Sequence, residues 1–446
     1  MKMNFPFHGI IGIALLFLSE IFLFKKVDPF YSWFYCFAWW SYILIIDAVI
    51  YRLKGNSLIL SRTKEFFLMI PWSVFFWLIF EAANFFLENW YYINLPRSTV
   101  ERWLGYAIAY GTVLPGIFET TELLETLGLF RSLKITRIVI TGEGHFILSL
   151  LGILWLLSSV NIPEYFFPLI WVGFILLLDP INYRLGGRSL LRDLEEGNPR
   201  KIFLLLVAGL ICGLLWEFWN FWALSKWIYT VPFFEKTKGF EMPYLGFLGF
   251  PPFAVQVYVM VNTLSLFRHK RGWEESQYQL NLEKKTRPLT SVLTTLLIVS
   301  FCVLIFRGID QKTVDSYESR IKDAHWIEPK FRDSLPKVGI ASLDDLVLRT
   351  HERKDAEELA LRLLIPKEEV IRWGEHAELA QIKGLGAENL RLLAQVGIRS
   401  VMLLANEDPD GLYEELLQFR QIKPNLRKAK VRIWIREAQK RVRSRQ

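Results

Sequence analysis

The sequence predicts an all-α membrane protein: a polytopic bundle of about nine transmembrane helices, arranged as two parallel four-helix repeats plus one, followed by a helical C-terminal domain. Of the 446 residues, 52% are hydrophobic and 15% are aromatic, which is atypical of a soluble chain. Apolar segments of spanning length fill residues 1–307 and almost none follow. Internal duplications in both regions are the third observation, because they give the repeats.

Nine segments contain the roughly 20 mostly apolar residues that a helix needs to cross a bilayer. They lie at about 8–24, 30–51, 66–87, 103–119, 139–160, 164–183, 202–224, 244–266 and 289–307. The first lacks the features of a removable signal peptide, so we expect it to stay as a helix. Pro115 near the end of the fourth segment and Pro251-Pro252 in the interior of the eighth predict kinks or short breaks.

Basic residues in the short loops predict the orientation. The N-terminus and the loops after helices two, four, six and eight carry 19 Lys and Arg, against 7 in the other four loops. Because cytoplasmic loops are the more basic, we expect a cytoplasmic N-terminus in a bacterial inner membrane. Either the ninth helix then places the C-terminal domain outside, or one of the nine segments does not span.

The membrane region is internally duplicated. The stretch from Asp47 to Leu58 recurs 132 residues later from Asp179 to Leu190, with seven of twelve positions identical. One helix further on, Glu81-Ala-Ala-Asn84-Phe85 recurs as Glu217-Phe-Trp-Asn220-Phe221. An even number of helices in each repeat makes the two halves parallel, related by an axis along the membrane normal.

These patterns divide the chain into four parts. They are a first transmembrane repeat at 1–137, a second at 138–267, a charged loop with the final transmembrane helix at 268–307, and the C-terminal domain at 308–446.

The repeat-matched Glu81 and Glu217 are the strongest candidates for a functional site. A carboxylate in hydrocarbon costs at least about 2.5–3.5 kcal/mol, so such a residue normally faces protein or a water-filled cavity. Two like acids in a low-dielectric site do not both ionise readily, so one is expected to stay protonated as a candidate catalytic acid. Asn84 and Asn220 follow at i+3 on the same face and are expected to position a substrate. The alternative is a hydrogen-bonded clamp between helices.

A second repeat-matched set lies at the cytoplasmic ends of helices two and six. It consists of Asp47, Tyr51 and Arg52 and of Asp179, Tyr183 and Arg184. Asp and Tyr at i and i+4 share a helix face, and an interfacial Arg reaches phosphate or pairs with Asp. The set is a candidate site for a phospholipid or isoprenoid phosphate head, and the alternative is a cap that anchors the loop. Trp227 and Tyr229, just past helix seven, are further head-group candidates or members of an aromatic belt.

The C-terminal domain has the composition of a soluble helical domain and is also duplicated. Residues 335–343 match residues 393–401 at an offset of 58. In the second copy, Lys383-Gly384-Leu385-Gly386 precedes a helical pattern. Glycines permit a tight turn there, and backbone N–H groups at a helix N-terminus can cradle a phosphate. Lys383, Gly384 and Gly386 are therefore a candidate hairpin for binding a phosphate or a partner.

On these residues, the stretch from about Trp326 to Lys440 resembles a double helix-hairpin-helix family of unknown function. The resemblance implies DNA or protein binding and carries no enzymatic activity. The first copy departs from the pattern, since Trp326-Ile-Glu328 stands where its Gly-x-Gly would fall. Ten basic residues among the last 24 offer a surface to duplex phosphate or anionic lipid, or form a solvated helix.

No metal site or cofactor is indicated. The three cysteines, Cys36, Cys212 and Cys302, lie inside apolar segments, and the membrane region has no zincin, P-loop, dinucleotide-binding or serine-hydrolase motif. We favour a bundle that binds or modifies an apolar lipid or isoprenoid in an intramembrane pocket. The alternatives are a membrane-anchored scaffold or receptor whose residues 308–446 bind DNA or a partner protein, and a transporter. Membrane lipids are the expected partners, and the sequence names no reaction.

Overall fold

The computed structural model describes residues 4–231, 237–279, 288–419 and 426–444. Lys2, Lys236, Lys284, Lys285 and Arg287 of the loop charge count lie outside the described residues, as do Lys423 and Arg445 of the basic tail. The described chain is mostly helical, as the predicted all-α class requires.

The chain divides into two compact units. Unit 1 consists of Met1–Asn89, Trp103–Ala223 and Val231–Ile309. Unit 2 consists of Trp90–Arg102, Leu224–Thr230 and Asp310–Gln446. Unit 2 therefore combines the C-terminal domain with two short segments that follow helices of the membrane repeats.

The first fourteen helices contain the apolar segments. They are α1 (Phe7–Phe24), α2 (Phe34–Lys54), α3 (Leu58–Ser61), α4 (Thr63–Leu87), α5 (Thr99–Tyr110), α6 (Val113–Thr126), α7 (Gly142–Asn161), α8 (Pro163–Phe166), α9 (Ile170–Arg184), α10 (Leu190–Glu195), α11 (Arg200–Trp222), α12 (Phe250–Phe267), α13 (Glu275–Tyr278) and α14 (Pro288–Lys312). Among the described residues, eight helical segments are long and apolar enough to cross a membrane. They are Phe7–Phe24, Phe34–Lys54, Thr63–Leu87, Gly142–Asn161, Pro163–Arg184, Arg200–Trp222, Tyr244–Phe267 and Val292–Lys312. This is compatible with the predicted membrane protein.

The fourth predicted segment consists of two helices, α5 and α6, which are interrupted at Gly111-Thr112. Ser73 on α4 supplies the hydrogen bonds at this break. Its Oγ donates to the carbonyl of Tyr110 at 2.6 Å and accepts the N–H of Leu114 at 3.0 Å. The interruption is therefore covered by protein, which is the condition for irregular backbone at membrane depth.

Pro251-Pro252 do not interrupt the eighth segment, which corrects the prediction from the sequence. Both prolines lie in the first turn of α12, directly after a 3₁₀ helix at Tyr244–Gly249. Proline fits this position because the first N–H groups of a helix have no intrahelical partner. The segment thus changes helix type before the prolines and continues unbroken after them.

Matching helix pairs of the two repeats pack closely through glycine. A Cβ added to Gly9 of α1 would lie 2.4 Å from Ala48 Cβ of α2. In the second repeat, a Cβ on Gly152 of α7 would lie 2.5 Å from the backbone N of Leu177 of α9. Small residues allow membrane helices to approach this closely.

Unit 2 contains the remaining helices. They are α15 (Pro329–Arg332), α16 (Leu343–His351), α17 (Arg353–Leu363), α18 (Lys367–Ala380), α19 (Gly386–Gln395), α20 (Val401–Ala405), α21 (Pro409–Leu417) and α22 (Lys428–Arg443). The sequence duplication is visible in their caps: Ser342 Oγ accepts the N–H of Asp345 and Ser400 Oγ that of Leu403. Gly339 and Gly397, at matching positions, have φ of 84° and 80°. Trp373 and Trp434 are buried in the common core.

Two strands in unit 2 come from the two membrane repeats. The strands β1 (Trp90–Ile93) and β2 (Lys226–Tyr229) form an antiparallel ribbon. A separate small ribbon, which pairs β3 (Lys238–Gly239) with β4 (Met242–Pro243), belongs to unit 1. In the first ribbon, Trp90 pairs with Tyr229 and Tyr92 pairs with Trp227. Each repeat's Trp therefore faces the other repeat's Tyr, which is the pairing that a twofold axis relating parallel repeats would produce.

The C-terminal part of unit 2 packs directly on this ribbon. Tyr92 donates its N–H to the carbonyl of Thr313 and accepts the N–H of Asp315, both at 2.8 Å. Tyr91 and Ile228 share an apolar cluster with Ile433 of α22. These contacts explain why the two loop segments and residues 310–446 form one compact unit.

Candidate functional site

Glu81 on α4 is completely buried. Trp77, one turn earlier on the same face, donates from Nε1 to Glu81 Oε1 at 2.9 Å. Asn84 is also buried, and its Oδ1 accepts the N–H of Asn89 at 2.9 Å. The glutamate thus contacts an aromatic donor, whereas the asparagine helps to close the C-terminal end of α4.

Glu217 and Asn220 on α11 are likewise completely buried. The residue before Glu217 is Trp216, whose ring centroid lies 5.0 Å from that of Trp77. A ring contact therefore connects the turn that carries Glu81 with the turn that carries Glu217. Convergence of the two repeat-matched acids on one site stays a prediction.

Aromatic side chains surround this connection. We call Trp39, Trp77, Phe80, Trp171, Trp216 and Phe253 the aromatic centre. Phe253 of α12 lies 5.9 Å from Trp77 and 5.3 Å from Phe80 between ring centroids, and both contacts are edge-to-face. Phe80 stacks on Trp171 at 5.6 Å. Glu81 is thus held beside aromatic rings, where a carboxyl is costly unless it is hydrogen-bonded.

Asp179 and Asp47 use their carboxylates to hold the loops that follow them. Asp179 accepts hydrogen bonds from the backbone N–H groups of Leu190 at 3.0 Å and Leu191 at 2.8 Å, at the start of α10. Asp47 accepts the N–H of Ile59 at 2.7 Å and the hydroxyl of Ser57 at 2.9 Å, at the start of α3. This is the arrangement expected of a cap and loop anchor.

The tyrosines and arginines of the same set make other contacts. Tyr183 donates from its hydroxyl to Glu195 Oε2 at 2.5 Å, and the Arg184 guanidinium bonds to the carbonyl of Gly142. At the matching positions of the first repeat, Tyr51 is half-buried and Arg52 is exposed. The structure does not gather Asp, Tyr and Arg around one point, so head-group binding by this set stays a prediction.

Trp227 and Tyr229 are strand residues of unit 2. Tyr229 is buried and Trp227 is half-buried in the ribbon with β1. Their pairing with Tyr92 and Trp90 gives them a structural role in joining the two repeats.

The candidate hairpin turns at Gly384 and Gly386, which have φ of 76° and 64°. These are the left-handed conformations that glycine permits in a tight turn. Its turn is packed inside unit 2. A Cβ on Gly384 would lie 3.3 Å from the Tyr91 hydroxyl oxygen, and one on Gly386 would lie 2.6 Å from Ser316 Cβ. Lys383 is half-buried beside them. The backbone expected to receive a phosphate thus faces protein.

The basic C-terminal helix α22 pairs several of its cations within unit 2. Lys430 Nζ lies 3.0 Å from Asp315 Oδ1, and both side chains are buried. Arg441 Nε lies 3.2 Å from Glu378 Oε1, and Lys428 Nζ lies 3.1 Å from Asp410 Oδ2. Trp434, one turn after Lys430 on the same face, is buried in the core. Several cations of the basic tail are therefore paired inside unit 2.

Sequence reasoning missed a group of ion pairs around largely buried acids of unit 1, which we call the inner ion network. It joins Glu122 with Lys54 Nζ (2.8 Å) and Arg62, Glu65 with Arg268 Nη1 (2.8 Å), and Glu274 with Lys201 Nζ (2.8 Å). Burial opposes ionisation of Glu274, but the charges of Lys201 and Arg188 prevail and lower its pKa. The signal available in the sequence was the presence of acids beside the basic loops used for orientation.

Within the described residues, no group of three or more His, Cys, Asp or Glu side chains is arranged to hold a metal ion.

Residues 325–441 match the model of a family described as Domain of unknown function (DUF4332). The match covers the region that resembles helix-hairpin-helix domains, but it does not itself show that nature. Neither the curated proteins nor the solved structures gave a match to this chain.

Proposed function

We propose that the duplicated bundle binds an apolar lipid or isoprenoid inside the membrane, with Glu81 and Glu217 as the acidic groups of the site. The observation that carries the proposal is the pair of fully buried, repeat-matched acids connected through Trp77 and Trp216. A simple anchor does not need a buried acid in each repeat, because each one costs several kcal/mol unless it is compensated.

The aromatic centre suits an apolar ligand. Ring faces of Trp and Phe offer flat contact area to hydrocarbon and to the double bonds of an isoprenoid. A protonated Glu81 or Glu217 would act as a hydrogen-bond donor to the polar end of such a molecule. If the protein is an enzyme, the same acid would donate a proton to the bound substrate.

We also propose nine crossings of the bacterial inner membrane, with the N-terminus inside and the C-terminal domain outside. The pairing of β1 with β2 supports this, since paired strands lie on one side of the membrane and an even number of crossings must separate them. The crossings by α7, α8–α9 and α11 make three, so α5–α6 supplies the fourth. The loop charges independently favour the same orientation.

The DNA-binding alternative receives less support. The hairpin glycines contact Tyr91 and Ser316, and cations of α22 pair with acids of unit 2. A phosphate would have to displace these internal contacts.

Photoaffinity labelling tests the lipid proposal. The full chain in nanodiscs is illuminated with a diazirine-bearing polyprenyl phosphate or with a diazirine phospholipid. We expect the isoprenoid probe to label peptides containing Trp77, Trp216 or Phe253, and Glu217→Gln to reduce that labelling several-fold. Glu20→Gln, which removes an exposed acid on α1, is the control and should leave labelling unchanged. Equal labelling of all three proteins would contradict the proposal.

A further inference from the structure

Three titratable side chains from three helices of the first repeat meet beside the inner ion network. His8 of α1 places Nε2 3.0 Å from Asp47 Oδ1 of α2. The Glu119 carboxyl of α6 lies within hydrogen-bonding reach of Asp47. Asp47 and Glu119 are completely buried, whereas the His8 side chain keeps 16% of its surface exposed.

The hydrogen bonds distinguish the two acids. Asp47 accepts from Ser57 and Ile59, as an ionised carboxylate does. Among the described residues, no donor serves either carboxyl oxygen of Glu119. Two buried carboxyls in contact cannot both ionise at low cost, and a proton on one turns their repulsion into a hydrogen bond.

The surrounding charges do not supply a cation for Glu119. Its charged neighbours are Asp47, Glu122 and Arg62, and Arg62 is already bound to Glu122. Lys54 also pairs with Glu122. The other titratable groups near α6 include Tyr42, which bonds to Thr120, and Cys212 of α11, which also contacts Thr120. Tyr258 of α12 packs its ring 6.3 Å from that of Phe118, and Lys201 of α11 pairs with Glu125. A proton is therefore the ligand that balances this acid pair.

The second repeat offers an internal comparison. Gln256 follows Pro252 by four residues on α12, as Glu119 follows Pro115 on α6. The buried Gln256 is neutral, and its Oε1 accepts the N–H of Phe174 at 3.2 Å. A neutral amide at the matching position is the closest natural substitute for a protonated Glu. His145 also differs from His8, because its ring packs on Tyr183 at 4.6 Å.

We propose that His8, Asp47 and Glu119 form a proton-binding site in the first repeat. Glu119 carries the bound proton and donates it in a hydrogen bond to Asp47. His8, the partly exposed member, passes the proton between water at the N-terminal end of α1 and the acid pair. The site is separate from Glu81 and Glu217 and does not depend on lipid binding.

Infrared difference spectroscopy of the full chain in nanodiscs tests this site. At neutral pH, the wild type should show the C=O band of a protonated carboxyl that Glu119→Gln removes and Glu20→Gln retains. Glu119→Gln copies the residue of the second repeat and should fold, which its elution as a single species would verify. A Glu119→Gln spectrum identical to the wild type in this region would overturn the proposal.

Two further outcomes bear on the same site. Asp47→Asn should shift the frequency of the Glu119 band, because it changes the acceptor of that proton, and an unshifted band would contradict the shared proton. Titration with Na⁺ at constant pH should leave the band unchanged. Its loss on adding Na⁺ would show that a metal cation, and not a proton, is the ligand.

Discussion

At the residue scale, two buried carboxylates hold the loops that follow them in the membrane region. Asp47 and Asp179 each accept a serine hydroxyl. From the short helix that follows, Asp47 also accepts one backbone N–H group and Asp179 accepts two. The sequence duplication identified both residues. It did not identify their partners, since helical spacing tells which residues share a face but not which donors fill a carboxylate.

Replacing Asp179 by alanine is expected to lower the stability of the membrane unit. The N–H groups of Leu190 and Leu191 would lose their acceptor, at a cost of about 1–3 kcal/mol. Thermal unfolding in detergent and hydrogen exchange across residues 186–195 measure the effect. Glu196→Ala changes an exposed acid of the same loop and should have little effect. Equal changes in both variants would argue against the anchor.

The lowered pKa of His325 predicts that the stability of unit 2 depends on pH. Burial, together with the charge of Arg391, lowers its pKa from 6.5 to about 4. In the unfolded chain this histidine is protonated below about pH 6.5, whereas in the folded chain it is protonated only below about pH 4. The free energy of unfolding therefore falls as the pH drops from 6.5 to 4. Hydrogen exchange around residues 320–332 reports the change.

His325→Gln should reduce that loss of protection at acidic pH. The matched control is His351→Gln, which removes an exposed histidine of α16 and should leave the pH dependence intact. An unchanged pH dependence in His325→Gln would show that carboxylates alone cause the acid sensitivity.

At the scale of elements, hydropathy predicted more of the helices than of the contacts, and the prolines did not predict where the helices are interrupted. Eight of the nine apolar segments are helical segments of spanning length, because roughly 20 apolar residues leave few alternatives in a bilayer. The division of the fourth into α5 and α6 depends on Ser73 of another helix, which no local pattern reveals. The pairing of β1 with β2 is equally non-local, although the matched Trp and Tyr residues contained the signal.

Two glycine substitutions distinguish the effect of side-chain packing at the hairpin from the effect of its backbone conformation. Gly386→Ala and Gly397→Ala both place a Cβ at positive φ, which costs about 1–2 kcal/mol. Only at Gly386 would the Cβ meet another residue, Ser316, at 2.6 Å, whereas nothing lies within 4 Å at Gly397. Gly386→Ala should therefore destabilise unit 2 by about 1–3 kcal/mol more. Chemical unfolding of the full chain compares the two, and equal losses would contradict the packed hairpin.

At the scale of the whole molecule, two kinds of symmetry organise the chain. The membrane repeats match in sequence, and their equivalent strands pair in unit 2. The C-terminal domain carries its own duplication, with matched serine caps and glycines. The sequence predicted both duplications because they preserve residues. Assignment of residues 90–102 and 224–230 to unit 2 needed the fold, since these loops are far from the C-terminal domain in the chain.

The proposed orientation predicts which side of the membrane each surface faces. In a chain with Cys36, Cys212 and Cys302 replaced, Leu364→Cys introduces a thiol at a side chain that is 91% exposed. A membrane-impermeant maleimide should label it in spheroplasts. Arg131→Cys, in a basic loop, should react only after permeabilisation. The opposite pattern would contradict an exported C-terminal domain.

Mass spectrometry of the apolar molecules that co-purify with the protein tests the proposed function most directly. The wild type, the Glu81→Gln/Glu217→Gln double variant and the Glu20→Gln control are purified in the same mild detergent. We expect a defined isoprenoid or lipid with the wild type and the control, and its loss or chemical change in the double variant. Identical bulk phospholipid in all three proteins would contradict a ligand site at the two glutamates.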